Sequence, residues 1–138
     1  MTGVQTCALP IFLQGDISIG TGTRLVGNVY LTGKLSMGQR NEIYPFTCIG
    51  FAAQDVNYAN DMHEPGLVIG NDNTFREGCS VHRATQELPT TIGNNNYFMT
   101  TAHIGHEDRK SVVEGKSVDL GGRRSIKKKT TNNKQTAD

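Results

Sequence analysis

Residues 13–50 read LQGDISIGTGTRLVGNVYLTGKLSMGQRNEIYPFTCIG, and an aliphatic residue returns at every sixth position: Leu13, Ile19, Leu25, Leu31, Met37, Ile43 and Ile49. Gly20, Gly38 and Gly50 each follow one of these residues directly. A period of six fits neither an amphipathic helix, which repeats about every 3.6 residues, nor an alternating strand, which repeats about every two. It is the signature of a hexapeptide-repeat β-solenoid. Each hexad supplies one short strand and one corner, and three hexads close a triangular coil of about eighteen residues. The aliphatic residue points inward, while Gly or Asn takes the unusual backbone angles of the corners. The expected fold is all-β: a left-handed parallel β-helix of about four coils with two loop insertions, truncated at both ends.

The phase breaks after Ile49. The next Ile-Gly pair is Ile69-Gly70, twenty residues on instead of six, so fourteen residues are inserted within about 51–66, with Pro65-Gly66 near the end of the loop. The phase resumes through Ile69, Phe75 and Val81. It breaks again between Val81 and Ile92, where the spacing of eleven implies a five-residue excursion around 83–89, closed by Pro89. Ile92, Phe98 and Ile104 complete the last visible coil. With three hexads per coil, Ile49, Val81 and Ile104 fall into one vertical column, and both insertions leave just after it. His82 follows Val81, and His103 and His106 flank Ile104. The loop carrying Gln54 and Asp55, the loop after Arg83 and three of the four histidines are thus expected at one corner. A regular solenoid needs no polar cluster, and insertions gathered on one edge of a repeat protein build its binding face.

The 138 residues suit one domain and contain no apolar run of the roughly 18 residues needed to span a membrane. The absence of Trp and the 16 glycines suit a narrow solenoid core. The net charge of +1 conceals an asymmetry: residues 12–106 hold five Lys or Arg against eight Asp or Glu, and the basic excess lies beyond them, in Arg123, Arg124, Lys127, Lys128 and Lys129. A basic arm would point to nucleic acid or an anionic membrane. The end segments instead read as translated sequencing-library adapters, Met1-Thr-Gly-Val-Gln-Thr-Cys-Ala-Leu-Pro-Ile11 at one end and Asp108 to Arg124 at the other. Residues 1–11 and 108–138 are therefore expected to be non-native, the latter poorly packed, with 12–107 the β-helix. Glu107 is then a junction product standing where the native codon is expected to be Asp. Of the three cysteines, Cys7 falls in the adapter segment, and Cys48 and Cys79 have no metal-binding spacing and read as small packing residues.

Asn41-Glu-Ile-Tyr-Pro-Phe46, Gln54-Asp55, Val81-His-Arg83, Ile92-Gly-Asn-Asn-Asn96 and Ala102-His-Ile-Gly-His106, taken in order, resemble the acyl-carrier-protein-dependent UDP-N-acetylglucosamine O-acyltransferases of lipid A biosynthesis. The resemblance covers 12–106. It implies transfer of a 3-hydroxyacyl chain from an acyl-carrier-protein thioester to the sugar 3-hydroxyl in the cytoplasm, with sites between the subunits of a homotrimer. It implies acyl carrier protein and UDP-N-acetylglucosamine as partners, acyl-carrier-protein thioester as co-substrate, no other cofactor, no metal, no nucleic acid and no stable membrane insertion. His106 matches the family's general base, and Glu107 takes the place of the carboxylate that orients it. Gln54 and Asp55 match the sugar-contacting pair, His103 another substrate-contacting histidine and His82 a histidine lining the cleft.

Asn57 stands where the family has a substrate-contacting lysine, and the loop Asn60-Asp-Met-His-Glu-Pro-Gly66 is about two residues longer than the family's. These departures admit a related acyltransferase with a different sugar acceptor. The three histidines also admit a zinc-dependent, carbonic-anhydrase-like solenoid, and the repeat alone a non-catalytic scaffold. With both ends cut across coils, the chain as written is expected to be inactive by itself.

Overall fold

A computed structural model of the chain describes residues 3–7, 10–52, 54, 65–85, 88–105 and 117–118. In chain order the strands are β1 (Gln5–Thr6), β2 (Ile11–Gln14), β3 (Ile17–Ile19), β4 (Arg24–Leu25), β5 (Val29–Thr32), β6 (Leu35–Met37), β7 (Glu42–Ile43) and β8 (Cys48–Phe51), then β9 (Leu67–Ile69), β10 (Thr74–Phe75), β11 (Ser80–His82), β12 (Thr90–Ile92), β13 (Tyr97–Phe98), β14 (His103–Ile104) and β15 (Ser117–Val118). They stack into three parallel sheets. The first face runs β1-β4-β7-β10-β13-β15, the second β2-β5-β8-β11-β14 and the third β3-β6-β9-β12. Consecutive strands always lie on different faces, so the described residues wind as a three-sided β-helix of four complete coils, followed by β13 and β14 of a fifth and by β15 stacked beyond β13.

The register follows the hexads. Leu31 pairs with Ile49, Ile49 with Val81 and Val81 with Ile104, as the count of coils requires. Leu25, Leu31, Ile43, Ile49, Phe75 and Phe98 are wholly buried, and the rings of Phe75 and Phe98 stack at 4.7 Å. Leu13 has the right phase but remains 36% exposed, because β2 is the edge strand of the second face among the described residues. A second inward column precedes each hexad residue by two positions. On the first face it is polar: Thr23, Asn41, Asn73 and Asn96 are all buried. The asparagines expected at corners thus divide into two classes. Asn28 and Asn95 do adopt left-handed backbone angles, whereas Asn41, Asn73 and Asn96 form an internal ladder.

The ladder replaces solvent for buried amides. Asn73 N–H donates to Asn41 Oδ1 at 2.8 Å, and Asn96 N–H to Asn73 Oδ1 at 2.9 Å. Asn41 Nδ2 donates to the Gly70 carbonyl at 3.0 Å and Asn73 Nδ2 to the Gly93 carbonyl at 2.9 Å. Each of these asparagines therefore ties the start of its coil to the end of the same coil. Outside the same corner, Arg40 and Asp72, both at positive φ, form a two-point ion pair with contacts of 2.8 and 3.0 Å.

Short stretches of both end segments pair at the edges of the first face. Gln5–Thr6 pairs with Arg24–Leu25, and Ser117–Val118 pairs with Tyr97–Phe98. An unpaired strand edge is a template for any extended chain, which accounts for both additions without requiring hexad phase. The rest of the expectation for 108–138 lies outside the described residues.

Two predictions follow from this packing. Thr90 is wholly buried in the third face, above Leu67, and its hydroxyl has no hydrogen-bond partner among the described residues. Thr90→Val keeps the shape and removes the unpaired group, so thermal denaturation should show stabilisation of about 1 kcal/mol. The Arg40 guanidinium holds the Asp72 carboxyl below its ordinary value. A depressed folded value stabilises above the unfolded carboxyl's value of about 3.9, and the effect is lost as pH falls through the lower folded value. The difference in melting temperature between the natural chain and Arg40→Met should therefore shrink on acidification from about pH 5 to about pH 2.

Candidate functional site

The two insertions leave the same corner, between the second and third faces. One departs after β8 and the other after β11. At that corner the ladder is irregular: Val81 pairs with Ile49, but His82 pairs with Phe51, so Gly50 is the extra residue of a bulge. Gly50 has φ 96°, and a Cβ there would run into the Thr32 carbonyl. Both facts require glycine at the departure point of the first loop.

His82 and Arg83 hold this point from the coil above. His82 Nδ1 donates to the Ala52 carbonyl at 2.7 Å. Arg83 donates from its backbone N–H to the Phe51 carbonyl at 3.1 Å and from Nη1 to the Gly50 carbonyl at 3.0 Å. Three successive carbonyls at the root of one loop are thus fixed by two residues at the root of the other. Gln54, exposed, lies two residues beyond the Ala52 contact.

One coil further up, His103 lies in register with Ser80. His103 Nδ1 is 2.9 Å from Ser80 Oγ. The His82 and His103 rings meet edge to face, with centroids 5.1 Å apart and planes at 67°. Both histidines are half-buried. The structure therefore brings together His82 and His103 beside the loop root that leads to Gln54. Asp55, Asn57, His106 and Glu107 lie outside the described residues; His106 follows Ile104, the last residue of β14, by two positions.

Ser80 was not singled out from the sequence, although the spacing of 23 that aligns Val81 with Ile104 also aligns Ser80 with His103. In the sequence Arg83 stands out only as part of a motif, since its hold on the Gly50 carbonyl depends on the bulge. Cys48 proves to be half-buried and outward, in the column between Tyr30 and Ser80, rather than a packing residue of the core. Cys79 does face inward, and burial pushes its thiol up to about 12. Burial also raises the Cys48 thiol, so neither has the depressed pKa of a reactive cysteine. Among the described residues no three His, Cys, Asp or Glu side chains come together as a metal site. No described helix is long and apolar enough to cross a membrane.

Gly50→Ala should destabilise the chain by about 2 kcal/mol or more, since it combines a disfavoured backbone angle with a collision against backbone. Chemical denaturation checks this. Gly70→Ala would collide with the Gly93 carbonyl at the opposite corner, and serves as a comparison that leaves the loop root intact.

Comparison with known proteins gives this corner a context. No family model matches the chain. It is 39% identical over 118 residues to the acyl-carrier-protein-dependent UDP-N-acetylglucosamine O-acyltransferase of Thermodesulfovibrio yellowstonii, covering 82% of this chain and 45% of that protein. To the enzyme of the same name from Psychrobacter sp. it is 43% identical over 101 residues, covering 71% and 38%. The solved UDP-N-acetylglucosamine O-acyltransferase of Moraxella catarrhalis superposes with a TM-score of 0.67 at 32% identity, over 78% of this chain and 44% of that one. The corresponding Acinetobacter baumannii structure gives 0.60 at 31% identity, over 78% and 46%. The chain thus spans less than half the length of these relatives. Over the span they share, the chain is a left-handed parallel β-helix similar in sequence and in fold to that of the UDP-N-acetylglucosamine O-acyltransferases.

Proposed function

We propose that the protein of which this β-helix is a part transfers a 3-hydroxyacyl chain from an acyl-carrier-protein thioester to the 3-hydroxyl of UDP-N-acetylglucosamine, the first step of lipid A biosynthesis. The observation that carries the reading is the coincidence of two things. The similarity to acyltransferases of that name runs through the β-helix at 36–43% identity, and the polar side chains that a plain solenoid does not need gather where both loops depart.

A sugar hydroxyl near its ordinary pKa is a poor nucleophile. In the proposed reaction His106, as neutral imidazole, takes the hydroxyl proton while the oxygen attacks the thioester carbonyl. The carbon–sulfur bond then breaks, and the imidazolium returns the proton to the departing thiolate. Base catalysis of this kind contributes about 10² to 10⁴ in rate. Glu107, or Asp at that position, orients the imidazole. Gln54 and Asp55 contact the sugar nucleotide, and His103 and His82 line its cleft. The reaction needs no cofactor besides the acyl-carrier-protein co-substrate. The assembly is a homotrimer in the cytoplasm, with each site shared between neighbours.

The test is to recover the coding sequence on both sides of residues 12–106 and assay its complete product with 3-hydroxyacyl carrier protein and UDP-N-acetylglucosamine. Formation of the O-acylated sugar nucleotide is expected, and His106→Ala should lower kcat by about 10² to 10⁴ with little change in sugar-nucleotide affinity. Failure of the unaltered protein to acylate this sugar, with acylation of another sugar nucleotide, would move the assignment to a different acceptor.

A further inference from the structure

In a regular parallel ladder the carbonyl of a residue accepts the N–H of the residue that follows its partner. The first coils of the second face obey this: Gln14 pairs with Thr32, and the Gln14 carbonyl accepts the Gly33 N–H at 2.9 Å. Continued by one residue past the Val81–Ile49 pair, the same rule would pair Gly50 with His82 and bring the Arg83 N–H to the Gly50 carbonyl. Instead His82 pairs with Phe51, and the Arg83 N–H reaches the Phe51 carbonyl at 3.1 Å. Gly50 is buried, and its carbonyl accepts from the side chain of the same residue, Arg83 Nη1, at 3.0 Å. A guanidinium only donates and a carbonyl only accepts, so the direction of this bond is fixed.

Arg83 thus takes the two carbonyls of the bulge step, one with its main chain and one with its side chain. It does so from a fixed base, because Val81 and Ala84, on either side of His82 and Arg83, are 1% and 0% exposed. A bulge re-aims the chain that leaves it. A return to the regular ladder would move the departing chain by one residue, about 3.3 Å along its path, and reverse the facing of its side chains. Gln54 lies three residues beyond Phe51 on that path. We infer that Arg83 is a positioning residue for sugar-nucleotide binding: its guanidinium locks the bulged register at Gly50 and so sets where Gln54 departs. The sugar nucleotide as ligand rests on the proposed function, whereas the hold on the bulge does not.

The test uses the complete, assembled product of the recovered coding sequence, because the proposed site is shared between neighbouring subunits. Arg83→Met keeps most of the stem and removes the donors, and Arg83→Lys returns one charged donor. With 3-hydroxyacyl carrier protein and UDP-N-acetylglucosamine as substrates, Arg83→Met should raise KM for the sugar nucleotide about tenfold, as loss of a hydrogen bond from a charged group implies. KM for the acyl carrier protein and kcat should stay within about twofold, and Arg83→Lys should recover most of the sugar-nucleotide KM. Crystal structures of the same proteins should show the N–H at position 83 on the Phe51 carbonyl in the unaltered and Arg83→Lys proteins, and on the Gly50 carbonyl in Arg83→Met. An unmoved bulge in Arg83→Met, or a moved one with unchanged sugar-nucleotide KM, overturns the proposal. So does a fall in kcat with equal rises in both KM values, which marks a merely structural role. Should Arg83→Met fail to fold, Arg83→Gln, with a shorter and uncharged donor, replaces it, and a rise in KM confined to the sugar nucleotide is again required. Failure of the unaltered protein to acylate UDP-N-acetylglucosamine would sink the proposed function instead, and the bulge register in the crystal structures would still uphold or overturn the hold of Arg83 on Gly50.

Discussion

The asparagine ladder at the corner between the third and first faces is what keeps every other part of the molecule in register. A parallel β-helix has no hairpins to fix which residue meets which, and a slip of one residue would turn the core outward. Here the side-chain carbonyls of Asn41 and Asn73 each accept the backbone N–H of the ladder residue above, and their amides close their coils through glycine carbonyls. These groups are buried, so misregister would leave several amides unpaired at once. Aliphatic packing makes the coil compact, and the ladder makes its register unique.

The insertions are tolerated because they depart from a different corner. Fourteen extra residues separate Ile49 from Ile69 by comparison with the six-residue repeat, yet Met37 still pairs with Ile69 and Ile43 with Phe75. The closing contacts of Asn41 and Asn73 lie beyond the point where each loop has rejoined the coil. Strain from the loops is therefore absorbed locally, by the Gly50 bulge and by the carbonyls that His82 and Arg83 hold. Of the His82 ring atoms, Nδ1 is committed to this architecture through the Ala52 carbonyl.

Much of this was legible in the sequence. The column Ile49, Val81, Ile104 followed from counting hexads across two gaps, and with it the meeting of His82 and His103. Less legible were features that depend on contacts between coils. An asparagine reads alike whether it turns a corner, as Asn95 does, or lies buried in a ladder, as Asn96 does. Ser80 carries no pattern of its own until it is placed opposite His103. Cys48 lies outward because a residue preceding an inward position alternates outward in a strand, even though cysteine commonly packs in cores. The edge pairings of Gln5–Thr6 and Ser117–Val118 obey no hexad phase at all. They follow from open edges, which accept extended backbone largely regardless of side chain.

The bulge at Gly50 gives the corner where the loops depart a fixed vertical address. Coils rise in steps of about 4.8 Å, and a side chain can change height only by a whole step. The roots of the two loops sit on adjacent steps, clamped carbonyl to side chain, and His103 sits one step higher. Variation in loop length or sequence can therefore reshape this corner laterally, but not the vertical spacing of its polar groups. Change along the axis can come only in quanta, through gain or loss of a whole coil.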